Sequence, residues 1–400
     1  MGALLALCYS YQFVFLVISY CRRPKPLPEA PVSKIAVLVA ARNEEGVIAE
    51  LLSAIKEQSY PQHLMEVFVT ADNCTDGTAA LARSLGATVY ERRDTDRVGK
   101  GYVLDYMLKR IREERGVDAF DSYIVFDADN IPHKDFIKEE LKVIAAGYDC
   151  AVGYRASKNY DDSWLSAGQG MCFLRDMVLL NRARMVTGSC CFVSGTGFMF
   201  TRALLERIGG GWPFHTLTED GEFTVWAAIN GVKIGYADNA IFYDEQPKRH
   251  SQSWNQRLRW CRGGVQIFSS YFKDLVKGIF SGGALACFDM AMCMAPAYLI
   301  SVVTLVTNVL GLIVTAAVGG DLLFNLTLVA IGIAGIYAML LIFSVSLTIS
   351  EWRLIRGRWY KKIFYAFTFP LYMMTFVPIA VVALFKKNVK WKQIDHSPKS

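Results

Sequence analysis

The stretch Ile35-Ala36-Val37-Leu38-Val39-Ala40-Ala41, with Arg42-Asn43-Glu44 behind it, decides the fold. A short apolar run closed by polar turn residues is the pattern of a strand buried on both faces, and such strands belong to parallel sheets covered by helices. The pattern continues outward. A helix is expected over 46–58, a second strand over Val67–Ala71 and a second helix over 76–86. A short third strand follows at Thr88–Tyr90, then a helix over 99–115 and another buried strand at Tyr123–Asp127. This order predicts an α/β domain with a mostly parallel, Rossmann-like sheet and helices on both faces. Ligands of such sheets collect outside the carboxyl ends of the strands, so chemistry is sought there.

Three of those ends carry polar residues in short turns: Ala41-Arg42-Asn43-Glu44, Asp72-Asn73-Cys74-Thr75-Asp76-Gly77-Thr78 and Asp127-Ala128-Asp129-Asn130. Each alone is explained as a cap for the following helix, because Asp, Asn and Thr accept hydrogen bonds from exposed helix N–H groups. Three together predict one shared pocket. Asp127 and Asp129 flank a single residue, and on an extended segment both carboxylates point to one side. Hard oxygen ligands of this kind select Mg²⁺ or Mn²⁺ and leave positions open for substrate phosphates. Lys100, between Gly99 and Gly101, is a candidate phosphate contact, although an ordinary exposed loop also carries such a lysine. The P-loop pattern is absent.

Further on, Thr218-Glu219-Asp220-Gly221 precedes a helix expected over 221–230. Thr218 or Asp220 suits its N-cap; the functional reading is a carboxylate acting as general base. In Gln256-Arg257-Leu258-Arg259-Trp260, a helix puts Gln256, Arg259 and Trp260 on one face. A basic aromatic helix is common at a membrane interface. The sharper reading has the arginine touching phosphate and the tryptophan stacking on a sugar.

Hydrophobic residues make up 53% of the 400, and the mean hydropathy is positive, which is unusual for a soluble enzyme. The excess is local. Residues 284–318 hold one charged residue, Asp289, and residues 322–350 hold none. Both runs exceed the roughly 20 apolar residues that cross a bilayer. With only Gly319-Gly320-Asp321 between them, they predict a membrane hairpin. Residues 3–20 are also apolar and are followed by Arg22, Arg23 and Lys25. Charges after rather than before the run predict a signal-anchor with a cytoplasmic basic flank. The net charge of +6 gathers beside the apolar runs, at 353–362 and 386–392, where it suits anionic lipid headgroups and not nucleic acid. Ten cysteines without a C-x-x-C pair exclude a zinc-type framework. The expected division is an anchor at 1–21, a linker at 22–32, a globular domain at 33–250 and interfacial helices at 251–283. The hairpin at 284–350, a basic interfacial segment at 351–362, a third membrane segment at 363–385 and a tail at 386–400 complete it. Pro370 and Pro378 inside 363–385 predict that this segment is broken or re-entrant, with both flanks cytoplasmic.

Taken in order, these motifs resemble the membrane-bound, processive-type enzymes of glycosyltransferase family 2, which include cellulose, chitin, hyaluronan and poly-N-acetylglucosamine synthases. The resemblance runs from Ile35 through Trp260 and on into the apolar segments. It rests on the combination of D-x-D, T-E-D and Q-x-x-R-W. It implies a GT-A fold, a UDP-sugar donor, a divalent cation and inversion at the anomeric carbon. Carried to this chain, Glu44 and Asp72, beside Ala41, bind the uridine. Lys100 lies near the nucleotide, Asp127 faces the ribose and Asp129 the metal. Gly195-Thr196-Gly197 floors the acceptor site. Asp220, beside Glu219, is the base, and Gln256, Arg259 and Trp260 meet acceptor and diphosphate. Trp391 and Lys392 loosely resemble the tryptophan-led loop that closes over the donor in hyaluronan synthases.

The reading that follows is an inverting transferase of the plasma membrane with a cytoplasmic catalytic domain, adding sugar to a growing polysaccharide or glycan. An alternative is single addition to a lipid-linked acceptor, with an export partner or oligomer left open by either. A membrane transporter or nucleotide sensor is the reading from another class. It requires charged residues lining the spans, and Asp289 is the sole candidate there.

Overall fold

The computed structural model describes residues 8–22, 24–294, 296–386, 388 and 389. Helix α1 (Tyr11–Cys21) precedes the sheet domain. Strand β1 (Ile35–Ala41) has five consecutive fully buried residues, Ile35 to Val39, as its unbroken apolar run requires. It leads into α2 (Ile48–Lys56), β2 (Met65–Asp72), α3 (Thr78–Ser84), β3 (Thr88–Arg92), α4 (Lys100–Arg115) and β4 (Ser122–Asp127). Beyond β4 come β5 (Ile131–Pro132), α5 (Phe136–Ala145), β6 (Cys150–Ser157), β7 (Phe198–Thr201) and β8 (Ile234–Asp244).

These strands form one sheet in the order β3-β2-β1-β4-β7-β6-β8-β5. The first four are parallel, as expected; β7 then runs antiparallel to β4 and to β6, and β8 runs parallel to β6. The sheet is therefore mixed and mostly parallel. Register aligns the functional ends, since Ala41 pairs with Ala71, Asp72 with Arg92 and Ala40 with Asp127. At the ends of β1 and β2 the chain turns through Asn43 (φ 56) and Asn73 (φ 52), a left-handed conformation that Asn tolerates better than most residues.

One helical rod runs from α6 (Trp164–Leu174) through a π-helical segment, Arg175–Asn181, into α7 (Arg182–Thr187). After α8 (Arg202–Arg207), α9 (Glu219–Ile229) carries the T-E-D carboxylates. The helix begins at Glu219, two residues earlier than expected, so Asp220 is inside it. Thr218 takes the cap position but its hydroxyl makes no capping bond; it is pressed against α10 (His250–Phe280) where Gly263 leaves room for it.

The apolar run 284–318 is two helices, α11 (Ala284–Met294) and α12 (Pro296–Ala317). Asp289 therefore lies outside the long apolar helix and lines no path through it. Its carboxylate is buried against the sheet domain. Arg184 of α7 donates to it from Nε (2.6 Å) and Nη2 (3.0 Å), and Tyr11 of α1 from its hydroxyl (2.9 Å). Hydropathy could not foresee this, because the partner is 105 residues away.

Three helical stretches are long and apolar enough to cross a membrane: Leu299–Ala317 in α12, Leu322–Ser350 (α13) and Trp359–Phe385. Within the described residues, α1 is shorter, at 11 residues. The last stretch is interrupted at Thr375 between α14 (Trp359–Met374) and α15 (Phe376–Phe385). Pro370 sits inside α14 without ending it. Pro378 causes the break from one turn away: it has no N–H for the Met374 carbonyl, and it falls in the first turn of α15, where that N–H is dispensable. Both ends of the stretch touch the sheet domain and its attached helix, Lys361 at the Asp161 carbonyl and the Ala383 carbonyl at Arg262 of α10.

The Arg184–Asp289 pair yields the first expectation. Asp289→Ala strands a buried guanidinium and should cost about 3–5 kcal/mol, whereas Arg184→Met combined with Asp289→Leu should recover most of that loss. Thermal unfolding of the purified protein in detergent measures both; equal losses in the two variants would refute the assignment.

Candidate active site

The strand ends β1, β2 and β4 open into a cleft of about 2260 Å³. The turns after β1 and β2 are tied together. Thr78 Oγ1 accepts from the Glu44 N–H (2.8 Å), Asn43 Oδ1 from the Thr75 N–H (2.8 Å) and Glu45 Oε2 from the Gly77 N–H (2.9 Å). Asp76 accepts from both the N–H and the hydroxyl of Thr78, so its carboxylate serves the turn. Ala41, Glu44 and Asp72 line the cleft. Asp72 is buried, with Oδ1 taking Arg92 at 2.6 Å and the Asn73 amide at 3.1 Å.

Asp127 ends β4, and Asp129 sits on the turn after it, held by the Asn130 N–H on the Asp127 carbonyl (3.1 Å). Only Asp127 is thus on extended chain and Asp129 is on the turn, yet both residues line the cleft. Lys100, at the first turn of α4, donates to Asp127 and to the Gly195 carbonyl (2.8 Å). It is therefore a fixed site residue and not a free loop lysine. Gly101 beside it permits this approach, since a Cβ there would stand 2.0 Å from the Phe214 carbonyl.

Gly195 lines the cleft at φ +84, and a Cβ on it would come within 3.1 Å of Asp220 Oδ2. Thr196 and Gly197 do not reach the cleft. Thr196 is fully buried beneath it, where its hydroxyl meets Asn130 and accepts from the Asp127 N–H (2.8 Å). Gly197 is packed under the Phe242 ring and continues the ladder to Val125. The two support the floor and only Gly195 forms it.

Glu219 and Asp220 open α9, where the helix N-terminus favours negative charge. Burial and then the Asp220 charge push Glu219 up to about 7, against the pull of Lys100 and Arg259. Burial also raises Asp220, opposed by the Gly221 N–H, Arg259 and Lys100. Arg259 is anchored by the Leu217 carbonyl (2.9 Å) and Gln256 by Gln169 (2.7 Å); Trp260 packs edge-on against Phe173 at 5.8 Å. All three line the cleft, whereas Arg257 is buried against Tyr372 and Phe376. Trp391 and Lys392 lie outside the described residues.

Two further residues were not foreseen. Arg155 of β6 lines the cleft, donates to Asp244 (2.7 Å) and to the Ser194 carbonyl (2.6 Å), and lies 3.7 Å over Phe173. Asp244 ends β8, and the strand-end rule applied to Tyr243-Asp244-Glu245 would have found it.

Among the described residues no three His, Cys, Asp or Glu side chains gather into a metal cage. A cation that keeps substrate oxygens as ligands needs only one or two carboxylates, and Asp129 offers that chemistry. Charge favours it too. Seven carboxylates line this end of the cleft against Arg42, Lys100, Arg155 and Arg259, and with Asp72 matched by Arg92 and Glu219 raised by burial a modest acidic excess remains, which suits a cation.

The carboxylate pair titrates as a unit. With Asp220 ionising first, the acid limb of turnover should lie below pH 7, and any second change near pH 7 should vanish in Glu219→Gln. A pH–rate profile of parent and variant checks this; a single limb at pH 7 that persists in Glu219→Gln would contradict it.

The strand-end part of the cleft, from Ala40 to Trp260, sits inside a matched family region. The model described as "Glycosyltransferase like family 2" matches residues 31–263, and "Glycosyl transferase family 21" matches 177–353. The chain is 29% identical over 250 residues to a beta-monoglucosyldiacylglycerol synthase of Synechocystis sp., covering 61% of this chain and 50% of that protein. It is 26% identical over 307 residues to the UDP-forming cellulose synthase catalytic subunit of Pseudomonas fluorescens, covering 70% and 39%. The chain thus spans about half the length of the curated relatives it matches. Among solved structures, the mannosyltransferase PcManGT of Pyrobaculum calidifontis, in complex with GDP-Man and Mn²⁺, superposes with a TM-score of 0.62 at 21% identity, covering 96% of this chain and 98% of that one.

Proposed function

The chain belongs to glycosyltransferase family 2, and we propose that it transfers a sugar, with inversion, from a UDP-sugar to a hydroxyl group of a membrane lipid. One observation carries the choice of acceptor. The cleft that holds Asp220 and Arg259 extends between the membrane helices, past Asn308 and Leu312 of α12, Gly332 and Ile336 of α13 and Phe376 and Ala380 of α15. An acceptor with an apolar tail fits that groove, and a lipid product is what the name of the Synechocystis relative states for that protein.

In this reading Asp220 takes the proton of the attacking hydroxyl as the new bond forms at the anomeric carbon and the bond to the diphosphate breaks. Arg259 and Lys100 draw the charge that grows on the leaving group. A divalent cation held by Asp129 supplies further neutralisation when bound, as the Mn²⁺ named with PcManGT suggests. Asp72 faces the base. With Oδ1 occupied by Arg92 and Asn73, one remaining acceptor matches the single imide N–H of uracil better than the two parallel donors of guanine. Gln256 and Trp260 lie toward the acceptor. Elongation of a polysaccharide is the second reading, favoured by Trp260 beside the base and the diphosphate arginine, an arrangement suited to holding a sugar ring.

Membranes supplied with labelled UDP-sugars and a divalent cation should yield an organic-extractable product of one added sugar. Asp220→Asn should lower its rate by about 10²–10⁴, and Asp129→Ala should abolish the response to Mg²⁺ and Mn²⁺. A water-soluble polymer as the main product would decide for the second reading.

The orientation belongs to the same proposal. The sheet domain lies in the cytoplasm at the plasma membrane and α12 and α13 cross it. With both ends of 359–385 at the domain side, α14 enters the membrane alongside α13, where Ser344 and Tyr337 donate to the Ala366 and Phe367 carbonyls, and α15 returns from the break at Thr375; Trp359, Phe364 and Phe367 are exposed to lipid and Arg353, Arg356 and Arg358 lie toward headgroups. A single cysteine at Lys386, in a background without the native ones, should resist an impermeant thiol reagent on intact cells and react after lysis. Labelling from outside would mean that the stretch crosses.

A further inference from the structure

The membrane end of the cleft carries its own charged residues, and the reaction outlined above uses none of them. Arg175 and Asp176 open the π-helix and line the cleft, as does Arg184. A π-helix is rare and occurs frequently at functional sites. This one follows Cys172 and Phe173 on the same rod, and Phe173 packs both Arg155 and Trp260. Arg175, two residues further on, lines the same cleft. Met292 and Cys293, beside it in the lining, end α11 immediately before the membrane hairpin. That is the level at which the head of a lipid inserted in the groove would lie.

Charge at this level is balanced. Arg175 donates from Nε (3.0 Å) and Nη2 (2.7 Å) to Asp176, and Arg184 is matched by buried Asp289. Both members of the first pair remain partly exposed, at 24% and 26%, so they can exchange part of their mutual contact for a ligand. The second pair is sealed, at 1% and 0%. A phosphate on the acceptor would face Asp176 with no surplus cation to hold it. A hydroxylated, uncharged head suits the pair, since a carboxylate accepts from a hydroxyl and a guanidinium donates to one.

Resting on the lipid-acceptor reading, we propose that the Arg175–Asp176 pair on the π-helix selects an electrically neutral, hydroxyl-bearing lipid head, of the diacylglycerol or glycosyl-diacylglycerol class, and rejects anionic lipid acceptors. The pair positions and selects; it does not touch the reacting bond. Asp176 supplies the rejection and Arg175 moderates it.

The test uses the purified full chain in neutral detergent micelles, with whichever of UDP-glucose, UDP-galactose and UDP-N-acetylglucosamine it turns over. Dioleoylglycerol and phosphatidylglycerol are the paired acceptors, both bearing a free hydroxyl and differing in charge, with polyprenyl phosphate as a third. The parent should favour dioleoylglycerol over phosphatidylglycerol in kcat/KM by about tenfold or more, the scale of one unbalanced charge at short range. Asp176→Asn should narrow that ratio by about tenfold, and Arg175→Gln should widen it. A general loss of folding moves both acceptors together, and opposite shifts from adjacent residues are not what a merely structural role gives. The proposal is overturned if the parent uses phosphatidylglycerol or polyprenyl phosphate as well as the neutral lipid, or if the ratio stays fixed or moves the same way in both variants. Elongation of a free oligosaccharide with no lipid product in any arm would instead remove the lipid-acceptor reading itself.

Discussion

Two charges cannot be taken out of water separately, and in this molecule that constraint fixes where a soluble sheet meets lipid-facing helices. Arg184 and Asp289 are almost wholly buried, and each is tolerable there only through the other. Tyr11 adds α1 to the same carboxylate. The contact draws α11 back onto the sheet domain, so the hairpin can begin only at Pro296. The groove between the hairpin and α15 is thereby brought against the strand ends. Were α11 part of a straight span, as its composition suggests, the cleft and the groove would have no shared boundary.

On the domain side, the site is set by register and by glycine. Parallel pairing brings Ala41, Asp72 and Asp127 to one edge. Close approach then assembles what the strands do not carry: Gly101 admits the 214–219 segment to the start of α4, and Gly263 admits Thr218 to α10. These contacts put Lys100, Arg259 and the Glu219–Asp220 pair around one space. The raised carboxylates follow from that enclosure, and the acidic excess at the donor end follows from stacking three acidic turns side by side.

Much of this was legible in the chain because apolar runs and turn residues report local structure directly. The strands at 35–41, 65–72 and 122–127, and the cleft residues at their ends, follow from that reading. So does Arg259 in preference to Arg257, since the helical face was counted correctly. What was missed depends on distant partners. Asp289 looks like a lone charge in a span until Arg184 is placed opposite it. Thr196 and Gly197 share a motif with Gly195, yet the chain turns left-handed at Gly195 and Gly197 just before β7, and the Thr196 hydroxyl is held beneath the floor by Asn130 and the Asp127 N–H. Asp129 reads as extended chain because nothing local marks that β4 stops at Asp127. Asp244 ends β8 and obeys the same strand-end rule as the others, so its signal is local.

The π-helical segment sets how the rod from Trp164 to Thr187 responds to a change in length. Each π turn holds one more residue than an α turn, so Arg175–Asn181 under-winds the rod without breaking it. Its upstream half can then face the reacting groups while its downstream half aims Arg184 at Asp289. Ordinary winding advances about 100° per residue. A one-residue deletion between Arg175 and Asn181 that let the rod relax to α-winding would remove the extra residue and leave Arg184 near its present bearing, whereas a deletion in the α-helical part between Trp164 and Leu174 would turn everything downstream by about 100°. Spacing, as much as residue identity, is what couples the chemistry of the cleft to the membrane helices below it.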